Sequence, residues 1–279
     1  MTSADNQQET SANLFYYTGF CVGEFSCSIL RLSNRRSKTG GVYYTPDITI
    51  SNAELSLLKE INSVVAGNLG VITSIKGGYN LSVRGKNKVK KILSFFTEYP
   101  PIAGDLAQSR LLIIHQALSI LEKQKSFRRT IKTQKRLEKC RELLKRLKET
   151  ANPLKAFPQK IFSKNAIGYF LAGILDAEGS VGIKKSGSRF QPFVAVAMKD
   201  KKIVELFKDF LGVGHIHGRP KEKIYHYEIG SREAVLKSLK VFLEDYPVKL
   251  SKMRKRSNDL RRILNDYTPR SSRQLAGGK

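Results

Sequence analysis

The chain has 279 residues, of which 41% are hydrophobic, so it can form one large or two ordinary globular domains. Its 50 Lys and Arg against 24 Asp and Glu give a formal net charge of +26, which favours a nucleic-acid partner because each phosphate contact releases counterions. An anionic membrane could use the same charge, but no run of about 18 apolar residues occurs and the basic residues do not gather on one amphipathic helix. We therefore expect no membrane partner.

Both ends of the chain and its cysteines indicate an intracellular protein. Residues 1–13 are polar and lack the features of a signal or transit peptide, so they predict a disordered leader, and residues 268–279 predict a basic tail. The cysteines, Cys21, Cys27 and Cys140, form no CxxC pair, which argues against a disulfide framework or a thiolate zinc site. These features are typical of a reducing compartment.

The first distinctive motif is an apolar helix with small residues on one face. Residues 16–28 read YYTGFCVGEFSCS, with Gly19 and Gly23 four apart and Glu24 at the predicted helix end. Small residues at this spacing let another backbone approach closely. An acid at a helix C-terminus lies where the helix dipole disfavours it. The motif therefore predicts a close helix partner and a cation near Glu24.

The same motif occurs a second time. Residues 168–179 read GYFLAGILDAEG, where Gly173 and Ala177 take the places of the two glycines and Glu178 takes the place of the first acid. One helix with small residues at this spacing is weak evidence for a site, but two copies in one chain are strong evidence. We expect the two motif helices to pack against each other.

The elements after each motif also repeat in order. In both copies two strands, a helix, a hairpin and a helix ending in Tyr-Pro follow the motif, as in KVKKILSFFTEYP and EAVLKSLKVFLEDYP. This pattern predicts an α+β fold of two pseudo-symmetric αββαββα repeats. The first repeat, with two extra helices, spans residues 14–150, a proline-containing linker covers residues 151–163, and the second repeat spans residues 164–267.

Pseudo-two-fold packing of the motif helices would bring Glu24 and Glu178 together. Two neighbouring carboxylates repel each other, and the free carbonyls of both helix ends add negative potential. Oxygen ligands of this kind suit Mg²⁺ or another hard divalent ion. Such an ion beside a basic surface can hydrolyse phosphodiester bonds. The alternative is that both acids merely end two packed helices.

The segment LAGILDAEG resembles the signature of the LAGLIDADG homing endonuclease family, and TGFCVGEFS resembles a diverged first copy of it. The resemblance implies a monomer whose sheets form a saddle in the major groove of about 20 base pairs of duplex DNA. It also implies Mg²⁺-dependent cleavage of both strands, an intron-encoded origin, and a mitochondrial or chloroplast location. By the same resemblance Glu24 and Glu178 bind the metal, assisted by the carbonyls of Gly23 and Ala177.

Several positions depart from the family pattern. The resemblance implies a catalytic lysine five residues after the proline of Tyr-Pro, which is Lys252 in the second repeat but Asp105 in the first. Val22 replaces an acid of the signature, and Phe25 replaces its final glycine. These departures leave open reduced or strand-biased cleavage, a DNA-binding protein without activity, and an RNA-binding maturase that binds its host intron.

Strand alternation predicts which side chains face nucleic acid. Leu81 and Val83 should face the helices, so their neighbours in sequence should face outward. Three histidines of the second repeat could instead indicate a metal site, but they lack cysteine or acidic companions. The predicted DNA-contacting residues are Arg35, Arg36, Lys38, Asp47, Thr49, Lys76, Asn80, Ser82, Arg84, Lys184, Arg189, Gln191, His215, His217, His226 and Glu228.

Overall fold

The first repeat begins with the motif helix, which continues without a loop into the first strand. The computed structural model describes residues 11–33, 42–123, 130–156, 161–187, 189–219 and 221–266. The elements of the first repeat are α1 (Phe15–Glu24), β1 (Phe25–Ser33), β2 (Val42–Asn52), α2 (Leu55–Val64), β3 (Val71–Ile75), β4 (Gly78–Arg84), α3 (Lys86–Glu98), α4 (Asp105–Glu122) and α5 (Ile131–Thr150).

The second repeat has the same order of elements, with one helix after the αββαββα unit where the first has two. A short π-helical turn at Val241–Asp245 follows α8 directly. The elements are α6 (Lys164–Glu178), β5 (Gly179–Ser186), β6 (Arg189–Met198), α7 (Lys201–Leu211), β7 (His215–Arg219), β8 (Ile224–Ile229), α8 (Arg232–Lys240) and α9 (Ser251–Asp266).

Each repeat contains a four-stranded antiparallel sheet, in the order β1-β2-β4-β3 and β5-β6-β8-β7. The identical strand order confirms the predicted α+β fold of two αββαββα repeats. In the first sheet Ile48 pairs with Val83, and in the second Val196 pairs with Tyr227. All four are buried against the helices, which leaves the side chains between them on the opposite face.

The two motif helices pack with their backbones almost in contact. A Cβ atom added to Gly173 would lie 2.0 Å from the carbonyl oxygen of Tyr16, and one added to Gly19 would lie 2.0 Å from the carbonyl oxygen of Phe170. No real Cβ atom tolerates such a distance, so only glycine fits at either position. The predicted contact between the motif helices is confirmed.

Each repeat also caps a helix of the other repeat. The buried Asp200, which precedes α7, accepts a hydrogen bond from the backbone N–H of Leu106 in the first turn of α4 at 2.9 Å. Glu54, in the equivalent place before α2, accepts one from the N–H of Ser251 at the start of α9 at 2.9 Å. These reciprocal bonds satisfy helix-end donors that have no intrahelical partner.

The sixth-position acid of the second motif has a structural role. The Asp176 carboxylate accepts hydrogen bonds from the backbone N–H groups of Lys249, at 2.6 Å, and Leu250, at 3.0 Å, just before α9. In the first repeat the buried Val22 occupies this place. In that repeat the N–H of Leu106 in α4 bonds to Asp200 of the other repeat, so this donor has a partner without an acid at position 22.

The predicted leader differs from the structure at its last residues. Ser11–Asn13 form a helical turn in which Ala12 is 6% exposed, because this side chain packs into the core. Residues 1–10, most of the predicted leader, and the predicted tail at 268–279 lie outside the described residues. Within the described part of the chain, no helix has the length and apolar character needed to cross a membrane.

Replacing Gly173 with alanine tests the helix contact, because the new methyl group would overlap the Tyr16 carbonyl. We expect a loss of at least about 2 kcal/mol in the free energy of unfolding, measured by urea denaturation. Gly182→Ala is the control, since an added Cβ there meets only Phe193 at an ordinary 3.5 Å. Equal effects of the two substitutions would contradict the packing.

Replacing Asp200 with alanine tests the caps between repeats, because it leaves the N–H of Leu106 without its partner. We expect a loss of about 1–2 kcal/mol in the free energy of unfolding. Glu205→Ala, which removes a half-exposed acid paired with Lys201 on α7, should cost less than about 0.5 kcal/mol. A silent Asp200→Ala would show that the cap contributes nothing.

Candidate metal centre and nucleic-acid interface

The two motif acids lie at the adjoining C-terminal ends of α1 and α6. Glu24 and Glu178 are the last residues of these helices, and the chain then turns directly into β1 and β5. A Cβ added to Gly23 would lie 2.5 Å from the Cβ of Ala177 and 3.1 Å from the Cγ of Glu178. The two helix ends are therefore in contact, as the sequence predicts, with one acid from each repeat.

The environment of the acids disfavours their charged forms. Burial raises the pKa of Glu24 to about 7, the Glu178 carboxylate adds repulsion, and a hydrogen bond from Asn52 opposes the shift. Glu178 is more exposed, yet partial burial of its carboxylate also raises its pKa. The carbonyls of Gly23 and Ala177 are among those that helix ends leave without intrahelical partners. A bound cation would relieve this negative potential.

The residues present fit a divalent ion that takes some of its ligands from the protein and the others from water and substrate. Among the described residues no group of three or more His, Cys, Asp or Glu side chains is placed to hold a metal ion. The protein thus supplies two carboxylates and no closed ligand cage. Mg²⁺ commonly binds in this way, through one or two carboxylates, several waters and substrate phosphates.

The structure places the predicted catalytic lysine and its counterpart in different surroundings. Lys252 is exposed in the first turn of α9. Asp105, at the first position of α4, accepts a hydrogen bond from the Nζ of Lys202 at 3.0 Å. The first repeat therefore has an acid in an ion pair where the second has an exposed lysine.

A cavity of about 370 Å³ opens beside Glu178. Its lining includes Gly23 and Arg110 of the first repeat and Met198 and Lys199 of the second. Arg110, Lys199 and the Asn52 that bonds to Glu24 are not among the site residues predicted from the sequence. Hairpin pairing could have indicated Asn52. Because β1 starts directly after Glu24 and pairs antiparallel with β2, its first residues lie beside the end of β2, where Asn52 is.

The outer face of the first sheet carries the predicted polar residues in matched rows. Thr49 pairs with Ser82 across β2 and β4, and Asp47 pairs with Arg84. Asp47, however, is only 4% exposed, because its carboxylate accepts hydrogen bonds from the Oγ of Ser82 at 2.8 Å and from Arg84 at 3.3 Å. Asn80 likewise accepts one from the Oγ of Ser51 at 2.9 Å. Asp47 thus holds its neighbours in place and is not itself exposed for contact.

The outer face of the second sheet has its own internal bonds. Lys184 forms an ion pair with Glu228, so these predicted contacts neutralise each other. Lys184 pairs in register with Gln191, whose amide donates to the carbonyl of Gly230 at 3.4 Å. Arg189 is exposed at the start of β6. Exposed positive charge on this face therefore comes from Arg189 more than from Lys184.

The three histidines of the second sheet form a stack. The ring centroids of His215 and His217 are 5.6 Å apart, and those of His217 and His226 are 5.0 Å apart with planes 4° from parallel. Burial and the neighbouring His217 lower the pKa of His226. Rings stacked face to face do not direct their nitrogens to one point, which agrees with the lack of a metal cluster in the described residues.

One predicted contact lies in a turn, and three others cannot be placed. Lys76 is exposed in the turn between β3 and β4. The predicted contacts Arg35, Arg36 and Lys38 fall between β1 and β2 and lie outside the described residues.

Solved structures share this fold. The LAGLIDADG homing endonuclease I-GzeII in complex with a DNA target has a TM-score of 0.74 at 19% identity, covering 94% of this chain and 95% of that chain. I-SmaMI bound to cleaved DNA also has a TM-score of 0.74 at 19% identity, covering 94% of each chain. I-CpaMI bound to uncleaved DNA has a TM-score of 0.71 at 17% identity, covering 90% of each chain.

No curated protein sequence matches the chain significantly. A model of the LAGLIDADG endonuclease family matches residues 18–108 and 171–264, one segment in each repeat. Each segment starts inside a motif helix and includes both hairpins of its sheet. The matches together cover more than half of the sequence, and the chain therefore belongs to the LAGLIDADG endonuclease family.

Proposed function

We propose that this protein is a site-specific, divalent-metal-dependent DNA endonuclease that cuts both strands of a duplex of about 20 base pairs. One observation carries the proposal: the glycine contact between α1 and α6 brings Glu24 and Glu178, one from each repeat, to the same point. A single chain thereby supplies both acids, so the active form is a monomer. Mg²⁺ is the proposed physiological ion.

The outer faces of the two sheets are the proposed DNA-binding surface. They present polar and basic side chains such as Arg84, Asn80, Arg189 and Gln191, which are types that read base edges in the major groove. The formal net charge of +26 supports a polyanionic partner. I-GzeII and I-SmaMI, which share the fold, were solved with DNA, the latter also in the presence of calcium ions.

The residues around the acids have distinct roles in the proposed reaction. A divalent ion, when bound, would activate water and neutralise the scissile phosphate. Glu24 and Glu178 hold it, with help from the carbonyls of Gly23 and Ala177. Asn52 orients Glu24 through its hydrogen bond. In our proposal Lys252 contributes positive charge from α9.

The target sequence follows from the proposed intron-encoded origin. If the reading frame lies in an intron, the joined flanking exons form the uninterrupted target. A mitochondrial or chloroplast genome is part of the same proposal. Sequencing the flanks of the reading frame supplies the test substrate, which is a plasmid carrying the joined flanks.

DNA affinity should depend steeply on salt. A basic surface that contacts about six phosphates releases about 0.9 counterions per contact, so affinity should fall by about a thousandfold between about 50 and 200 mM salt. Fluorescence anisotropy with the labelled target duplex, in Ca²⁺ to prevent cleavage, measures the slope. A flat response would contradict phosphate-dominated binding.

Glu178→Gln should reduce cleavage of both strands by at least about a hundredfold, because it removes a ligand of the shared ion. DNA affinity should change little, since the substitution alters neither sheet face. Glu24→Gln should behave in the same way. Mg²⁺ should also raise the melting temperature of the unmutated protein more than that of either variant.

Glu205→Gln, an acid on the exposed face of α7, is the matched control and should cleave normally. Because the two repeats differ around their acids, nicked plasmid should accumulate before linear plasmid in the unmutated protein. Full double-strand activity in either motif variant would exclude the shared site. Tight binding without any nicking in Mg²⁺ or Mn²⁺ would instead favour a DNA-binding protein without activity.

A further inference from the structure

Arg110 connects the acid site with a second groove of the protein. It lies on α4 and lines the cavity of about 370 Å³ together with Glu178 and Gly23. It also lines a larger space, of about 840 Å³, that runs along the edge strand β1 beside α5. Arg110 therefore borders both the cavity that one motif acid lines and the groove that runs along the first sheet.

The guanidinium lies over an aromatic ring. Its Cζ lies 5.8 Å from the ring centroid of Phe25, the residue that replaces the final glycine of the first motif. Phe25 is 3% exposed and packs against Phe96 at 6.0 Å between centroids, so it forms a rigid base. No salt bridge within the described ranges engages Arg110. The charge is thus positioned without being neutralised by a carboxylate.

The second repeat has no counterpart of this arginine. Asp105 corresponds to Lys252, and five residues further on Arg110 corresponds to Ser257, which is 3% exposed in the core. The acids differ in their other neighbours too. Asn52 bonds to Glu24, whereas Met198, at the same place at the end of β6, lines the cavity beside Glu178. One acid therefore accepts a hydrogen bond from an amide, and the other lines a cavity that a guanidinium group also lines.

We propose that Arg110 binds the scissile phosphate of one strand, the strand cut on the Glu178 side, and that it stabilises the transition state there. The inference rests on the proposed endonuclease function. In the hydrolysis, a water oxygen bonds to phosphorus, the bond from phosphorus to one sugar oxygen breaks, and that oxygen leaves with a proton. Negative charge grows on the phosphoryl oxygens, and the planar guanidinium can donate two hydrogen bonds to them.

This assignment gives the departures in the first repeat a shared explanation. Asp105 cannot supply positive charge, and its carboxylate forms an ion pair with Lys202. Phe25 stands where the motif has glycine, and its ring contacts the guanidinium of Arg110. The positively charged side chain of the first repeat is thus Arg110, one turn of α4 beyond Asp105, where the second repeat has its lysine. The two strands are cut by unequal groups within one site.

The test is strand-resolved, single-turnover cleavage in Mg²⁺ of a duplex labelled differently on each strand. Arg110→Ala should slow cleavage of one strand by about 10²-fold and leave the other nearly unchanged. Arg110→Lys should recover part of the rate, because it keeps the charge but loses the paired hydrogen bonds. Duplex affinity in Ca²⁺ and the melting temperature should remain close to those of the unmutated protein.

Lys199→Ala is the matched control, since it removes another positive charge from the same cavity. It should affect neither strand selectively. Equal slowing of both strands by Arg110→Ala, or the same strand-selective loss in Lys199→Ala, would overturn the role of Arg110 while leaving the endonuclease proposal intact. Failure of the unmutated protein to cut either strand would overturn both proposals.

Discussion

The near contact of two helix backbones at Gly19 and Gly173 is the constraint on which the rest of the structure depends. It sets the separation of α1 and α6, and thereby the meeting of Glu24 and Glu178 at their ends. Each sheet starts directly from one of these helices, so the same contact also fixes the two sheets relative to the acids. A larger side chain at the contact would therefore disturb the fold and the site together.

The pseudo-symmetry of the fold does not extend to the chemistry of the site. The backbone elements match in order and the sheets match in strand order. Around the acids, however, the repeats differ, because Asn52 bonds to Glu24 whereas Arg110 and Met198 line the cavity beside Glu178. A fused pair of repeats can diverge in this way because the two halves are encoded separately, unlike the identical copies of a symmetric homodimer.

Much of the fold could be predicted from the sequence because its signals are local. The spacing of Gly173 and Ala177 indicates the helix contact, and alternation around Leu81 indicates the buried face of β4. The bonds between repeats could not be predicted, because they join residues far apart in the chain. Asp200 and Leu106 are 94 positions apart, and Glu54 and Ser251 are 197 apart.

Part of the site could not be predicted from the sequence for a similar reason. The burial of Asp47 follows from side-chain bonds across β2 and β4, which alternation does not describe. Arg110 lies on a helix outside the motif, so its proximity to Glu178 depends on how the repeats dock. The motif acids themselves could be found because their helix position and repetition are visible in the sequence.

The reciprocal caps have a consequence for recombination between related genes. A hybrid that joins the first half of this chain to the second half of a relative would keep the helix contact only if that half carried a glycine in the place of Gly173. It would keep both caps only if the incoming half supplied an acid equivalent to Asp200 and a helix whose first N–H groups can donate to Glu54. The two caps, which lie outside the motif, therefore restrict which halves can be combined in one stable chain.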